Sequence, residues 1–224
     1  MANAYYSVIE DFQKEIEKYV NDIFKKYGNE LKLSLEGYNP LAHDNNCLKS
    51  STAFGYIIEE FLVSQLEKKS KIQRIDGSTA NSSYDCFSSH KGIKIFINIK
   101  TQSPKNHNNA ISAINKLCND YFQNPKEIKA YLVLKIHYSI KKSQKDGERK
   151  IFIDDINSFF LEEVDFSKEH NQDNRNWSEK SKRESGRLMV SEKFRTDHQV
   201  PINERSYENT TKGFKAILKR IANK

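Results

Sequence analysis

The stretch Ser83-Tyr-Asp-Cys-Phe-Ser-Ser-His-Lys-Gly-Ile-Lys-Ile-Phe-Ile-Asn-Ile-Lys-Thr-Gln102 decides the fold. It holds two apolar runs, Tyr84 to Phe87 and Ile93 to Thr101, joined by the turn-forming Ser88-Ser-His-Lys-Gly92. That arrangement predicts an antiparallel pair of strands. Side chains alternate along a strand, so Ile93, Ile95, Ile97 and Ile99 face one way, into a core. Asn98 and Lys100 then share the opposite face. The first run carries an isolated acid, Asp85. A carboxylate on one strand, with a polar residue and a lysine on the next, can hold Mg²⁺ at a phosphodiester. The carboxylate binds the metal, and the lysine steadies the attacking water or the charge on the phosphoryl group. The competing reading of the same residues is an exposed strand with a chance acid and lysine.

The arrangement resembles the PD-(D/E)xK nuclease superfamily, in particular its type II restriction endonucleases, over about Thr52 to Ser139. Two positions depart from that pattern. Tyr84 stands where the family has Pro, a residue that shapes the backbone and does no chemistry. Asn98 stands where the family usually has Asp or Glu. A neutral amide can ligate Mg²⁺ through its oxygen but brings no charge. Either the second acid comes from elsewhere, or the chain is a weakened or altered version of an active enzyme, an Asp-to-Asn substitution included.

A second acid has two candidates on one helix. Phe54, Ile57, Ile58, Phe61 and Leu62 mark an amphipathic helix from about Ser51 to Lys69. Related nucleases often place a Glu on the helix before the Asp strand. Gly55 and Glu59 lie one turn apart, bordering the Leu62 and Leu66 edge of the apolar stripe. Gly55 would let the helix approach the sheet closely. Glu60 lies near the opposite edge, so Glu59 is favoured. The competing reading makes both ordinary solvated acids.

The resemblance thus implies a catalytic set of Asp85, Asn98, Lys100 and Glu59. It implies a Mg²⁺ cofactor held by Asp85, Glu59, the Asn98 side chain and the Ile99 carbonyl. It also implies double-stranded DNA as partner, read as a homodimer because a palindromic site suits a two-fold protein. A substrate-facing loop is expected directly after Lys100. Gln102, Ser103, Lys105, Asn106, His107 and Asn108 there supply amides that read adenine edges and cations that neutralise phosphate. A second polar stretch carries Arg175, Trp177, Lys180, Lys182, Arg183 and Arg187. It suits a DNA-contacting arm at about 168–205, with Trp177 either stacking on a base or anchored in the core.

The remaining sequence predicts a helix from about Tyr6 to Tyr27 that ends near Gly28. It predicts strands at Ile72 to Ile75, Ala130 to Ile140, Lys150 to Ile153 and Leu188 to Val190. Further helices are expected at Asn109 to Phe122 and around Phe214 to Ile221. The order suits an α/β (α+β) fold with a mixed central β-sheet flanked by helices, restriction-endonuclease-like on the resemblance. A length of 224 residues fits a single domain, 1–224.

The net charge of +7 is unevenly spread. From Lys168 to Arg195 basic residues outnumber acids eight to five. Arg205, Lys212, Lys215, Lys219, Arg220 and Lys224 face only Glu208 in the final stretch. A basic C-terminal third suits a phosphate-backbone partner, or simply a solvated basic surface. No apolar run approaches the roughly 20 residues of a membrane span, so no membrane is expected. The start Met1-Ala-Asn-Ala-Tyr-Tyr lacks a signal-peptide pattern. Cys47, Cys86 and Cys118 form neither a zinc pattern nor a disulfide framework, which fits a reducing cytoplasm. The alternatives to a restriction endonuclease are a cleavage-impaired DNA-binding protein on the same fold and an α/β protein with a merely basic surface.

Overall fold

The structure, a computed structural model, describes residues 4–32, 51–68, 71–75, 82–104, 109–168 and 187–222. Its first element is helix α1, Ala4–Lys26, which buries Ile9, Phe12, Ile16, Val20, Ile23 and Phe24 along one stripe. Gly28, at φ 66°, closes it. The Asn29 amide donates to the Phe24 carbonyl and the Gly28 amide to that of Lys25, a Schellman ending that needs the left-handed conformation.

There follow β1 (Glu30–Leu31), α2 (Ser51–Leu66), β2 (Ile72–Arg74), β3 (Cys86–His90), β4 (Ile93–Gln102) and β5 (Ala110–Ala113). Next come α3 (Ile114–Phe122), β6 (Lys129–Lys142), β7 (Arg149–Phe160), β8 (Arg187–Met189), α4 (Glu192–Asp197) and α5 (Tyr207–Ala222). Six strands form one mixed sheet in the order β1-β7-β6-β4-β3-β2, and β5 pairs with β8 apart from it. β4 and β6 are parallel, and the other pairs in the main sheet are antiparallel. A parallel pair needs a crossover, and β5 with α3 supplies it.

The sheet separates two cores. On one face Ile93, Ile95, Ile97 and Ile99 of β4 pack with Leu132, Leu134 and Ile136 of β6 and the inner sides of α1 and α2. On the other, Phe96, Tyr131, Val133 and Phe159 pack with α3, α5 and the segment around β8. The first half of β6, Ala130 to Leu134, is covered on both sides and reads as a continuous apolar run, while from Lys135 burial alternates. Cys86 and Cys118 are buried and free. No helix among the described residues is long and apolar enough to cross a membrane.

The mixed sheet flanked by helices agrees with the expected fold class, and several elements differ in extent. The helix expected from Asn109 begins only at Ile114. Ala110–Ala113 is a strand instead, because its backbone pairs with β8, where Ala110 opposes Met189. The strand expected at Lys150 to Ile153 continues to Phe160. Beyond Ile153 it passes a register shift opposite His137 and Tyr138, which breaks the alternation a sequence pattern relies on. Within 168–205 the described part is not a bare loop. Leu188, Val190 and Phe194 are buried, and Ser191 caps α4 by accepting from the Phe194 amide. Residues 169–186 lie outside the described residues.

Candidate active site

The site forms where β3 stops and β4 continues. The last ladder pair is Cys86 with Ile97, and the Asp85 amide still donates to the Ile97 carbonyl at 2.9 Å. The next amide on that edge of β4 belongs to Ile99. It donates to Asp85 Oδ2 at 2.6 Å, so the carboxylate takes the place of the missing strand. In an extended strand the N–H and C=O of one residue leave by the same edge. The Ile99 carbonyl therefore lies on the edge that Asp85 closes.

Glu59 arrives from α2. Thr101 Oγ1 donates to Glu59 Oε1 at 3.3 Å. The approach is close because residue 55 is glycine: a Cβ there would sit 2.5 Å from Thr101 Oγ1. Glu60 is paired instead, with Arg74 Nη2 donating to its Oε2 at 2.5 Å, and its charge also acts on Asp85. Lys100 lies on the opposite face of β4 from Thr101, and both carboxylates feel its ammonium.

Burial dominates the electrostatics. It pushes the Glu59 carboxyl up to about 7, against the pull of Lys100 and with a smaller push from Asp85. Asp85 is likewise raised by burial, with Lys100 and the Ile99 amide opposing. Two acids held near one another in a dry place are reluctant to ionise together unless a cation joins them. Among the described residues no group of three or more His, Cys, Asp or Glu side chains is placed to hold a metal. Mg²⁺ is commonly bound by one or two carboxylates and keeps several waters. The pair Asp85 and Glu59, with the Ile99 carbonyl on the same edge, fits that ion.

Asn98 is 3% exposed. Its Nδ2 donates to the Ser83 carbonyl, to the Tyr131 hydroxyl at 2.8 Å and to the Ile111 carbonyl at 3.4 Å. The Tyr131 hydroxyl donates in turn to the Ser83 carbonyl. Asn98 Oδ1 is buried with no hydrogen-bond partner among the described residues. The amide therefore acts first as a donor that ties the start of the Asp85 loop to β5. Its oxygen is an orphaned acceptor, the kind of atom that a bound ion or water satisfies.

A pocket of about 350 Å³ opens beside these groups. With about 30 Å³ per water, that is room for a phosphodiester and several waters. Glu59, Lys100, Thr101 and Ser103 line one side, and β5 with Lys116 and Arg187 the other. Gln102 ends β4 opposite His137 of β6. Lys105, Asn106, His107 and Asn108 lie outside the described residues, as do Arg175, Trp177, Lys180, Lys182 and Arg183. Thr101, Lys116, and Tyr56 at the rim (65% exposed) line or border the pocket and were not singled out from sequence. Thr101 follows Lys100 directly, and that adjacency was the available signal. Lys116 reaches the pocket from the first turn of α3, directly after β5, and Arg187 through the β5–β8 pairing, which no local pattern announces.

No family model matches the chain, and no curated protein matches it. Among solved structures it is similar to the NlaIV restriction endonuclease, at 12% sequence identity and a TM-score of 0.48, with 93% of this chain and 89% of that one covered.

Proposed function

We propose that this chain is a Mg²⁺-dependent endonuclease that cuts double-stranded DNA at a short specific sequence, a type II restriction enzyme acting as a homodimer in the cytoplasm. The observation that carries the reading is the meeting of Asp85, Glu59 and Lys100 at the open edge of β4, beside a polar pocket. Asp85, Glu59 and the Ile99 carbonyl would hold Mg²⁺, with Asn98 Oδ1 as the further oxygen. Bound there, Mg²⁺ would lower the pKa of the attacking water and neutralise charge on the phosphoryl oxygens. Lys100 orients the nucleophilic water and stabilises the negative charge that builds in the transition state. Thr101 and Gly55 fix where Glu59 stands. Gln102, Ser103 and Arg187, with the residues after Lys100, would contact DNA.

The test is a plasmid digest with and without Mg²⁺, with Asp85→Ala and Lys100→Ala alongside. Both variants are expected to fold and to lose cleavage by about 100-fold or more, and Lys100→Ala to keep most duplex binding in Ca²⁺, since its role belongs to the transition state. Wild-type cutting by folded Asp85→Ala would remove the assignment. Duplex binding without any cutting under Mg²⁺ would favour the cleavage-impaired reading, to which the neutral Asn98 also speaks.

A further inference from the structure

The face of the sheet that carries Lys100 continues across β6 and β7 as cross-strand rows. Asn98 opposes Val133, and Val133 opposes Phe159; Lys100 opposes Lys135, and Lys135 opposes Asn157. The first row is buried under the second core, and the next emerges from it. Neighbouring strands run about 4.8 Å apart, so Lys135 stands one strand spacing from Lys100 on the same face. α4 brings a third cation. Arg195 lies over the Phe159 ring at 4.8 Å, and the Lys135 ammonium lies over the same ring at 5.5 Å. Phe159 itself is only 2% exposed, so the ring is a fixed platform and holds both cations in place.

Unlike Lys100, which has Asp85 and Glu59 nearby, Lys135 and Arg195 have no paired acid among the described residues. Among the described residues, Lys100, Lys135 and Arg195 form no ion pair, whereas the exposed Lys193 beside Arg195 pairs with Asp197 at 3.0 Å. The acids that act on the pair are Glu192 of α4 on Lys135 and Glu163 on Arg195, and neither closes to an ion pair. Lys135 is half-buried, and its ammonium is pushed below the usual lysine range, by burial first and Arg195 second. Two cations set together on an apolar platform without a counter-ion cost free energy that an arriving anion recovers.

We infer that Lys135 and Arg195, over the Phe159 ring, form a second phosphate subsite one strand away from Lys100, which receives a neighbouring backbone phosphate of the nucleic acid. The inference rests on the nuclease reading of the Lys100 pocket and extends it to the direction of the bound strand, across β4, β6 and α4. Its role is to hold the backbone in register and not to read sequence.

The test is duplex binding by the full chain in Ca²⁺, followed by fluorescence anisotropy over a salt series. Lys135→Gln and Arg195→Gln are each expected to weaken binding several-fold at low salt. Each should flatten the slope of log affinity against log salt by about one unit, with melting temperatures at or above that of the wild type. Lys135→Arg should restore the slope, and Lys193→Gln should leave it as in wild type. Wild-type slopes in both Gln variants, with normal wild-type binding, would overturn the subsite and leave the nuclease reading standing. A parallel titration with inorganic pyrophosphate separates the two claims. Pyrophosphate bound through Lys135 and Arg195, with no duplex binding, keeps an anion subsite and removes DNA. Binding of neither overturns both.

Discussion

Asn98 changes meaning between sequence and structure. As a letter in the pattern it reads as a missing acid, and restoring Asp would seem a gain. In place, its Nδ2 donates to two backbone carbonyls and a hydroxyl. Asp has no proton for those acceptors and sets a negative charge against the Ser83 and Ile111 carbonyls in a buried site. Asn98→Asp is therefore expected to destabilise the fold by about 2–4 kcal/mol, read as a lowered denaturant midpoint, and not to raise the cleavage rate. A stable and faster Asn98→Asp would show that the position wants an acid after all. Glu59 behaves in the opposite sense. Gly55 and the helical spacing marked the side of α2 that meets the sheet and put Glu59 on it, whereas its partner Thr101 came only from the packing. With its carboxyl raised to about 7, it must lose a proton before it can serve as a ligand. Mg²⁺ affinity, measured by titration calorimetry, should thus rise with pH up to about 7 and level off above it. Glu59→Gln should weaken binding and erase most of that rise. A pH-independent affinity in wild type would place the ion away from Glu59.

At the scale of elements, legibility followed how local the cause was. The close of α1 at Gly28 is set within six residues, and both the glycine and the apolar stripe are visible in the sequence. β5 was missed because Ala110–Ala113 is a strand only by virtue of β8, more than seventy positions along the chain. The later half of β7 was missed for a related reason: Asp154 and Asp155 are exposed and polar, and the strand is held by pairing with the covered β6. The contact between α2 and β4 lies between these cases. Gly55 announces a close approach, and Thr101 is what it approaches. Adding one methyl group there puts Cβ 2.5 Å from Thr101 Oγ1, and threonine on a packed strand has little room to yield. Gly55→Ala is expected to cost about 1–3 kcal/mol through overpacking, even though alanine favours the helix. It should also lower cleavage by moving Glu59 off its position, and excess Mg²⁺ should recover part of the loss. Stability at or above wild type by chemical denaturation would mean that α2 can shift without strain.

Across the whole molecule, the two acids that burial pushes up to about 7 lie against different cores. Glu59 sits at the edge of one core, and Glu162 lies inside the other. The Tyr121 hydroxyl donates to Glu162 Oε1 at 2.5 Å and the Tyr131 amide to its Oε2 at 3.2 Å. Through Tyr131 this acid stands behind Asn98 and Ser83, so the second core backs the proposed metal site. Burial pushes Glu162 up to about 7 as well, with the bonds from Tyr121 and Tyr131 pulling down. Between about 4.5 and 7 the folded chain keeps a proton on each acid that the unfolded chain has released. Each contribution to stability is therefore full below the unfolded value, declines as pH rises through that window, and is flat above it. The loss is on the order of 3 kcal/mol for fully buried Glu162 and smaller for Glu59. On the proposed function, Mg²⁺ would reach only Glu59. In metal-free protein, Glu162→Gln should flatten the fall in melting temperature between pH 5 and 7.5, because the amide still accepts from one partner and carries no charge. Mg²⁺ should restore stability at pH 7.5 by about the same increment in wild type and in Glu162→Gln, and by much less in Glu59→Gln. If Glu162→Gln instead abolished the Mg²⁺ increment, the two cores would not be independent, and the acid behind Tyr131 would have to be counted as part of the metal site.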